Sequence, residues 1–376
     1  MQRAPKKILF LIPTLGGGGA ERVMVTLLKH LDRSRFRLAL AVVDIRNAVY
    51  LKDIPPDVEF IDLGCLRVRY ALPKIIALIW KRRPDVVFCT LGHINLALAI
   101  VRNLLPNGVR TIARETSIVS ENLSAYSSPS IWALLYRIFY HRHDLLVCQS
   151  RYMQDDLVGQ FGFPPERSIV INNPVDTKQI RKLANTTLDN VDIASDSLLL
   201  VAAGRLSKVK GFDLLIEAMA LLDRSPVPQP KALHLCIMGD GELFDELMQL
   251  AIIKGVSDKV SFVGFQSNPY AWFARADAFV LSSRHEGFPN VVLEALTCGT
   301  PVIATPAPGG TREILDDVDG CMVAGEITAA ALAEAILEWL ARPRCRISES
   351  AVEPYELARI ISQYEDLFLI EEITIT

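Results

Sequence analysis

Several signatures are missing from this sequence, and each absence closes off a class of protein. The seven cysteines are scattered, with no Cys-x-x-Cys pair and no regular spacing. An odd, unpatterned set points to reduced thiols in a cytoplasmic protein, not to a disulfide framework. Metal-ligand spacing is also absent, so no structural zinc is expected. No run approaches the roughly 20 uninterrupted apolar residues that span a bilayer. The sequons at Asn122 and Asn185 therefore carry no weight. There is no GxGxxG with its partner acid, the mark of a dinucleotide site. Nor is there a stripe of Lys and Arg interleaved with aromatics, so no nucleic-acid partner is expected. No internal repeat of short period appears.

What is present begins with size. The chain has 376 residues, half of them apolar, enough for two or three domains. The start, MQRAPKKILFLIPTLGGGG, is basic and then apolar. The run is short, holds a proline and leads into glycines, so it reads as a buried strand and not as a secretion signal. Charge is uneven. Residues 1–175 hold 23 Lys and Arg against 14 Asp and Glu, a net of +9, and residues 176–376 carry a net of −12. The first half is expected to face something anionic.

In chain order, 6–12 reads as a strand buried on both faces. Gly16, Gly17, Gly18 and Gly19 follow, then a helix over 20–31. Strand, glycine loop and helix open a doubly wound α/β domain. Strand-like runs at 38–43, 58–63, 85–89, 110–113 and 145–148 alternate with helical stretches, among them 73–82 and 131–142. This alternation predicts a parallel sheet covered on both faces. Ligands bind beyond the carboxyl ends of such strands, which draws attention to His93, Arg114 and Glu115. For His93 a structural role competes with a ligand-facing one. For Arg114 and Glu115 the competing role is a local ion pair. The helices at 70–83 and 131–143 mix aromatics with cations. They suit either weak contact with a membrane surface or a core-facing helix with a snorkelled basic edge.

A proline-broken segment at 171–180 and the polar stretch 183–196 place a domain boundary near residue 176. A second α/β set follows, with strands at 198–203, 233–238, 260–263, 278–281 and 302–304. A glycine turn, PAPGG, occupies 306–310, a helix runs from after Gly325 to about 340, and a terminal helix covers 355–369. Arg205 and Lys210 flank a loop just past the first strand of this set, where two cations either neutralise a diphosphate, as planar fork and point charge, or are ordinary surface cations.

The stretch 282–301, SSRHEGFPNVVLEALTCGTP, carries two glutamates eight positions apart. Glu286 precedes Gly287 and Pro289 and belongs in a loop. Glu294 lies in an apolar run that reads as a buried helix starting near Pro289 or Asn290. A helix N-terminus suits a phosphate, with one carboxylate before it and one a turn inside. This arrangement suits a ligand with hydroxyls at both ends and phosphates between; the competing reading is a strand, a loop and an amphipathic helix whose glutamates are merely solvated.

These residues resemble the family-four retaining glycosyltransferases over nearly the whole chain. The likeness is carried by LGGGGAERV at 15–23, NNPVD at 172–176, GRLSKVKGFDLLIEA at 204–218 and HEGFPNVVLEALTCGTPVIA at 285–304. It looks most like the subgroup acting on lipid-linked glycans. The resemblance implies a GT-B fold, two Rossmann-like doubly wound domains facing across a cleft, with a C-terminal helix crossing back to the first. Residues 1–175, with about 355–376, would form the acceptor-binding domain. Residues 176–354 would form the nucleotide-sugar-binding domain.

By the same resemblance Arg205 and Lys210 hold the donor diphosphate and Glu294 the ribose. Glu286 contacts the donor sugar, helped by Gly287, Phe288 and Asn290. Gly16, Gly17, Gly18 and Gly19 approach the phosphates or the acceptor. The base lies near Gly239–Asp240 or Val263–Phe265. His93, Arg114 and Glu115 are acceptor-side candidates. Several relatives carry a histidine where this chain has Arg114–Glu115, so that contact does not transfer. The expected reaction is retaining transfer of a hexose or N-acetylhexosamine from a UDP-linked sugar to a lipid-linked glycan, with no metal or other cofactor. The expected location is cytoplasmic, at the inner face of the membrane. A nicotinamide oxidoreductase, a nucleotide-sugar epimerase of the same fold and a non-catalytic scaffold are the alternatives.

Overall fold

The computed structural model describes residues 4–124, 126–187, 197–226 and 231–370. Part of the expected linker, 188–196, and the end of the chain, 371–376, lie outside the described residues. The chain divides into two units, Met1–Pro174 with Ala358–Thr376, and Val175–Leu357.

In unit 1 seven strands pair in parallel: β1 Lys6–Thr14, β2 Phe36–Asp44, β3 Glu59–Asp62, β4 Val86–Thr90, β5 Arg110–Arg114, β6 Leu145–Cys148 and β7 Ser168–Val170. Their order across the sheet is β3-β2-β1-β4-β5-β6-β7. Unit 2 repeats the plan with β8 Ser197–Ala203, β9 Ala232–Met238, β10 Val260–Gly264, β11 Ala278–Leu281, β12 Val302–Ala304 and β13 Met322–Val323, in the order β10-β9-β8-β11-β12-β13. In each sheet the order reverses once, between β1 and β4 and between β8 and β11. A crevice opens at such a reversal, beyond the carboxyl ends of the strands.

The apolar runs explain the parallel pairing. Successive side chains of a strand point to opposite faces. Leu198, Leu200 and Ala202 of β8 enter one cluster of buried residues, while Leu199 and Val201 enter the other. Both faces are thus covered, as parallel sheets require.

In unit 1 one face is closed by the helix Leu357–Leu369, which brings the end of the chain back onto the first sheet. Phe368 meets Phe10, Phe88 and Phe36 edge-on, with centroids 6.1, 5.3 and 6.1 Å apart. Tyr364 stands 5.8 Å from Phe88. Lys6 Nζ donates to Leu369 O at 3.1 Å, and Glu365 accepts from Asp32 N at 2.9 Å.

Some boundaries differ from the sequence expectation. The helix expected from residue 73 starts at Val68, with Pro73 inside it. The helix expected over 131–142 spans Pro129–Phe139 and tightens into a 3-10 turn, Tyr140–Arg142. β7 and β13 were not anticipated. With three and two residues they are too short to show a period.

Candidate active site

The reversal point of unit 2 gathers the side chains singled out from the sequence. After β8 the chain passes Gly204 and Arg205, then closes a 3-10 turn, Lys208–Lys210. After β11 it runs through Ser282, Ser283 and Arg284 to Glu286. The two loops are tied together by hydrogen bonds. Arg284 N donates to Val209 O at 2.8 Å, Ser282 Oγ to Lys210 O at 2.9 Å, and Arg284 Nη1 to Lys208 O at 2.8 Å. Arg284 also forks onto Asp213 at 2.8 and 2.6 Å.

Within this frame Lys210 Nζ lies 2.6 Å from Glu286 Oε1, and Ser283 Oγ donates to the same oxygen at 2.6 Å. Both partners are largely withdrawn from solvent, their side chains 25 and 10 % exposed. A third loop fixes the main chain of Glu286. Its N–H donates to Pro308 O at 2.9 Å, it bridges to Gly309, and Gly310 N donates to Gly287 O at 3.1 Å. Gly309 has φ +117°, and a Cβ there would overlap Glu286 O.

The other predicted residues of unit 2 lie on these and neighbouring segments. Phe288 is buried, with its ring 5.7 Å from Tyr355. Asn290 is the first residue of the helix Asn290–Thr297, Pro289 its N-cap, and Glu294 lies buried a turn inside. Arg205 is exposed, and its guanidinium makes no hydrogen bond to any described residue. Gly239 follows β9, where its N–H donates to Gly264 O at 2.9 Å, and Asp240 O accepts from Leu206 N at 2.9 Å. Phe265, just past β10, is 73 % exposed.

In unit 1, Gly16 to Gly19 lie at the reversal point after β1, leading into the helix Gly19–His30. Glu21, in its first turn, is nearly buried and accepts from Thr14 Oγ1 at 3.2 Å. Its carboxylate lies against Gly18, so an acid already occupies the positive end of this helix.

Arg114 and Glu115 form no ion pair with each other among the described residues. Arg114 is fully buried and donates to Tyr364 Oη at 3.1 Å, to Thr90 Oγ1 at 3.4 Å and to Asn173 Oδ1. Glu115, also buried, accepts from Asn95 Nδ2 at 2.9 Å. Burial pushes its carboxyl from 4.5 up to about 7, against the pull of Asn95 and Arg114. His93 is exposed in the first turn of the helix Gly92–Val101.

The sequence did not point to Ser283, Arg284, Glu21 or Asn95. Ser283 and Arg284 sit inside the stretch 282–301, and the serine pair before a glutamate was the available signal. Burial pushes the Cys298 and Cys321 thiols to about 12 and Cys236 to about 11, so none of these is a thiolate nucleophile at neutral pH. Among the described residues no cluster of three or more His, Cys, Asp or Glu gathers as metal ligands.

Asn95 joins Glu115 to a second buried group, since His143 Nε2 lies 2.9 Å from Asn95 O. Burial holds His143 down at about 4 from the usual 6.5. The two groups give opposite pH trends. Glu115 keeps a proton that the unfolded chain sheds, so its contribution is full below 4.5 and is lost as pH rises through 7. His143 refuses a proton that the unfolded chain accepts, so its contribution is full above 6.5 and is lost as pH falls through 4. Each trend is worth about 3 kcal/mol. Glu115→Gln should therefore gain stability over wild type at pH 8 but not at pH 4.5, and His143→Gln should gain at pH 4.5 but not at pH 8. Urea midpoints across this range check it, and curves parallel to wild type would refute it.

The surface of unit 1 carries apolar side chains beside cations. Ile131, Leu134 and Ile138 are exposed on the helix Pro129–Phe139, and Tyr70 and Trp80 on Val68–Arg82. Arg69, Arg83 and Arg142 stack on Tyr70, Trp80 and Phe139 at 4.9, 4.3 and 4.6 Å. Among the described residues no helix is long and apolar enough to cross a membrane.

A family model described as glycosyl transferases group 1 matches residues 186–356, and one described as glycosyltransferase family 4 matches residues 17–179. A Campylobacter jejuni protein, N-acetylgalactosamine-N,N'-diacetylbacillosaminyl-diphospho-undecaprenol 4-alpha-N-acetylgalactosaminyltransferase, is 29 % identical over 331 residues, 85 % of this chain and 86 % of its own length. The lipopolysaccharide core biosynthesis glycosyltransferase LpsE of Rhizobium meliloti is 35 % identical over 188 residues, 50 % of this chain and 52 % of its own length. Among solved structures, Anabaena HepE in complex with UDP and glucose superposes with a TM-score of 0.72 at 21 % identity, covering 96 % of this chain and 99 % of that one. This last likeness is one of fold, the GT-B fold.

Proposed function

The chain belongs to the family-four, group 1 glycosyltransferases, and on that premise we propose that it transfers a hexose or N-acetylhexosamine from a UDP-linked sugar to a lipid-linked glycan acceptor, with retention and without a metal. The product serves cell-surface polysaccharide or lipopolysaccharide synthesis. The observation that carries this is the meeting of Lys210 and Glu286 at the reversal point of unit 2, 76 residues apart in sequence and 2.6 Å apart in space. A cation and an acid held there by Ser283 and three tied loops suit a sugar diphosphate, the cation for the phosphates and the acid for sugar hydroxyls.

In the proposed step the bond between the anomeric carbon and the diphosphate oxygen breaks. The acceptor oxygen bonds to the same face, and its proton passes to the departing diphosphate. Charge gathers on the leaving group, where Lys210, Arg205 and the amino end of the helix Asn290–Thr297 stabilise it. Glu294 takes the ribose. The glycine loop of unit 1 serves the acceptor in this scheme, because Glu21 competes with an anion there. The exposed apolar and basic side chains of the helices Pro129–Phe139 and Val68–Arg82 rest against an anionic membrane surface.

A thermal-shift and hydrolysis screen over a panel of nucleotide sugars tests this, run with and without chelator and with and without anionic vesicles. One UDP-sugar should stabilise the protein and turn over equally well in chelator, and vesicles should co-sediment the protein. Stabilisation by NADH alone would favour the oxidoreductase. Interconversion of the sugar without acceptor would favour the epimerase. Activity lost to chelator and restored by Mg²⁺ would overturn the metal-free step.

A further inference from the structure

Leu91, between β4 and the helix Gly92–Val101, has φ +83°. A leucine is held in the left-handed region only where its surroundings over-determine it. Beside it lies a cavity of about 220 Å³ lined by Gly92, His93, Leu96, Tyr126, Trp132 and Tyr136. Three of the six lining residues are tyrosine or tryptophan, and Tyr126 and Trp132 meet edge-on at 5.4 Å. None is cationic.

Tyr136 is only 4 % exposed, and its hydroxyl is aimed at Gly92 in the cavity wall. A Cβ on Gly92 would lie 2.7 Å from that hydroxyl and 3.9 Å from Glu115 Oε2, so glycine alone leaves room between them. Burial, and after it the Glu115 charge, push the Tyr136 phenol well above its usual range. It therefore keeps its proton and stands ready to donate.

We propose that this cavity binds one pyranose ring of the glycan acceptor, its apolar face against Trp132 and Tyr126 and its hydroxyls toward Tyr136 and His93. That the ring belongs to an acceptor rests on the transferase function proposed above. The volume falls below the roughly 300 Å³ at which drug-sized sites begin, which fits a single ring and not an oligosaccharide. An acyl chain would fill the aromatic walls but offer the Tyr136 hydroxyl no acceptor. A phosphate would find no cation in the lining. A sugar ring offers both an apolar C–H face and oxygen acceptors, so it satisfies both features.

The test titrates the full chain with the methyl glycosides of glucose, galactose and N-acetylglucosamine, followed by tryptophan fluorescence and by ligand-observed NMR. At least one glycoside should bind. Tyr136→Phe and Trp132→Ala should each weaken it about tenfold, and His93→Ala, at an exposed rim position, should weaken it without disturbing the fold. Thermal midpoints establish that the variants are folded. No glycoside binding, equal binding by all three variants, or binding of decanoate in place of the glycosides overturns the proposal. Hydrolysis of nucleotide sugars by the wild-type protein is measured separately. Glycoside binding without such hydrolysis would sink the transferase function and, with it, the ring's role as acceptor, while leaving the cavity as a site for a sugar ring.

Discussion

Lys210→Ala is expected to slow transfer by about 10²-fold or more, which is about 3 kcal/mol of barrier, with the loss in kcat and not in donor KM. The reason is where charge appears. The diphosphate gains negative charge as the sugar leaves, so a cation beside it stabilises the transition state more than the bound donor. Arg205→Ala should cost a similar factor. Its side chain is exposed and makes no hydrogen bond to any described residue, so its thermal midpoint should stay at the wild-type value. In Lys210→Ala the Glu286 carboxylate keeps Ser283 as donor, and a modest drop in midpoint is expected. Lys210→Arg should recover only part of the rate, since a planar fork does not replace a compact ammonium. Initial rates against donor concentration decide the matter. Wild-type turnover in either alanine variant would contradict the assignment.

Gly309→Ala is expected to damage both stability and transfer, by about 3 kcal/mol or more and by a factor comparable with Lys210→Ala. Two separate costs meet at this position. The backbone has φ +117°, and the added methyl would overlap the carbonyl of Glu286, so the loop that aims the carboxylate must move. Gly255→Ala separates the two costs, because it shares a positive φ of +76° but has open space around it. It should lose only about 1 kcal/mol and no activity. Urea denaturation and transfer rates on the two variants make the comparison. Equal, small effects would mean that the Gly309 turn does not hold Glu286 in place.

Much of the fold was legible because its signals are local. Apolar runs such as those of β1, β4 and β8, each followed by a turn and a helix, announce a parallel sheet within about thirty residues of sequence. The terminal helix was legible too, from its helical spacing of Ile360, Ile361, Tyr364, Leu367 and Phe368. The start of Val68–Arg82 was not, because Pro73 resembles a first-turn proline. Pro73 is instead the sixth residue, past the first turn, where it removes one i→i−4 hydrogen bond.

Around the candidate site the limit was distance along the chain. Lys210 and Glu286 were each conspicuous, but their pairing depends on β8 and β11 being neighbours, which no local pattern encodes. The cavity beside Gly92 is assembled from residues near 92, 126 and 136, and the buried Glu115 next to it lies on a fourth segment. Arg114 appeared ligand-facing because it ends a strand. The terminal helix covers it, and Tyr364 takes the hydrogen bond.

The helix Leu357–Leu369 also sets an order of events during synthesis. Unit 2 has all its strands once Leu357 has left the ribosome. The first sheet, although translated earliest, lacks the ring of Phe368 against Phe10, Phe36 and Phe88 until this helix arrives. The amino-terminal half therefore finishes last, and a chain cut before this helix leaves those three rings without that partner.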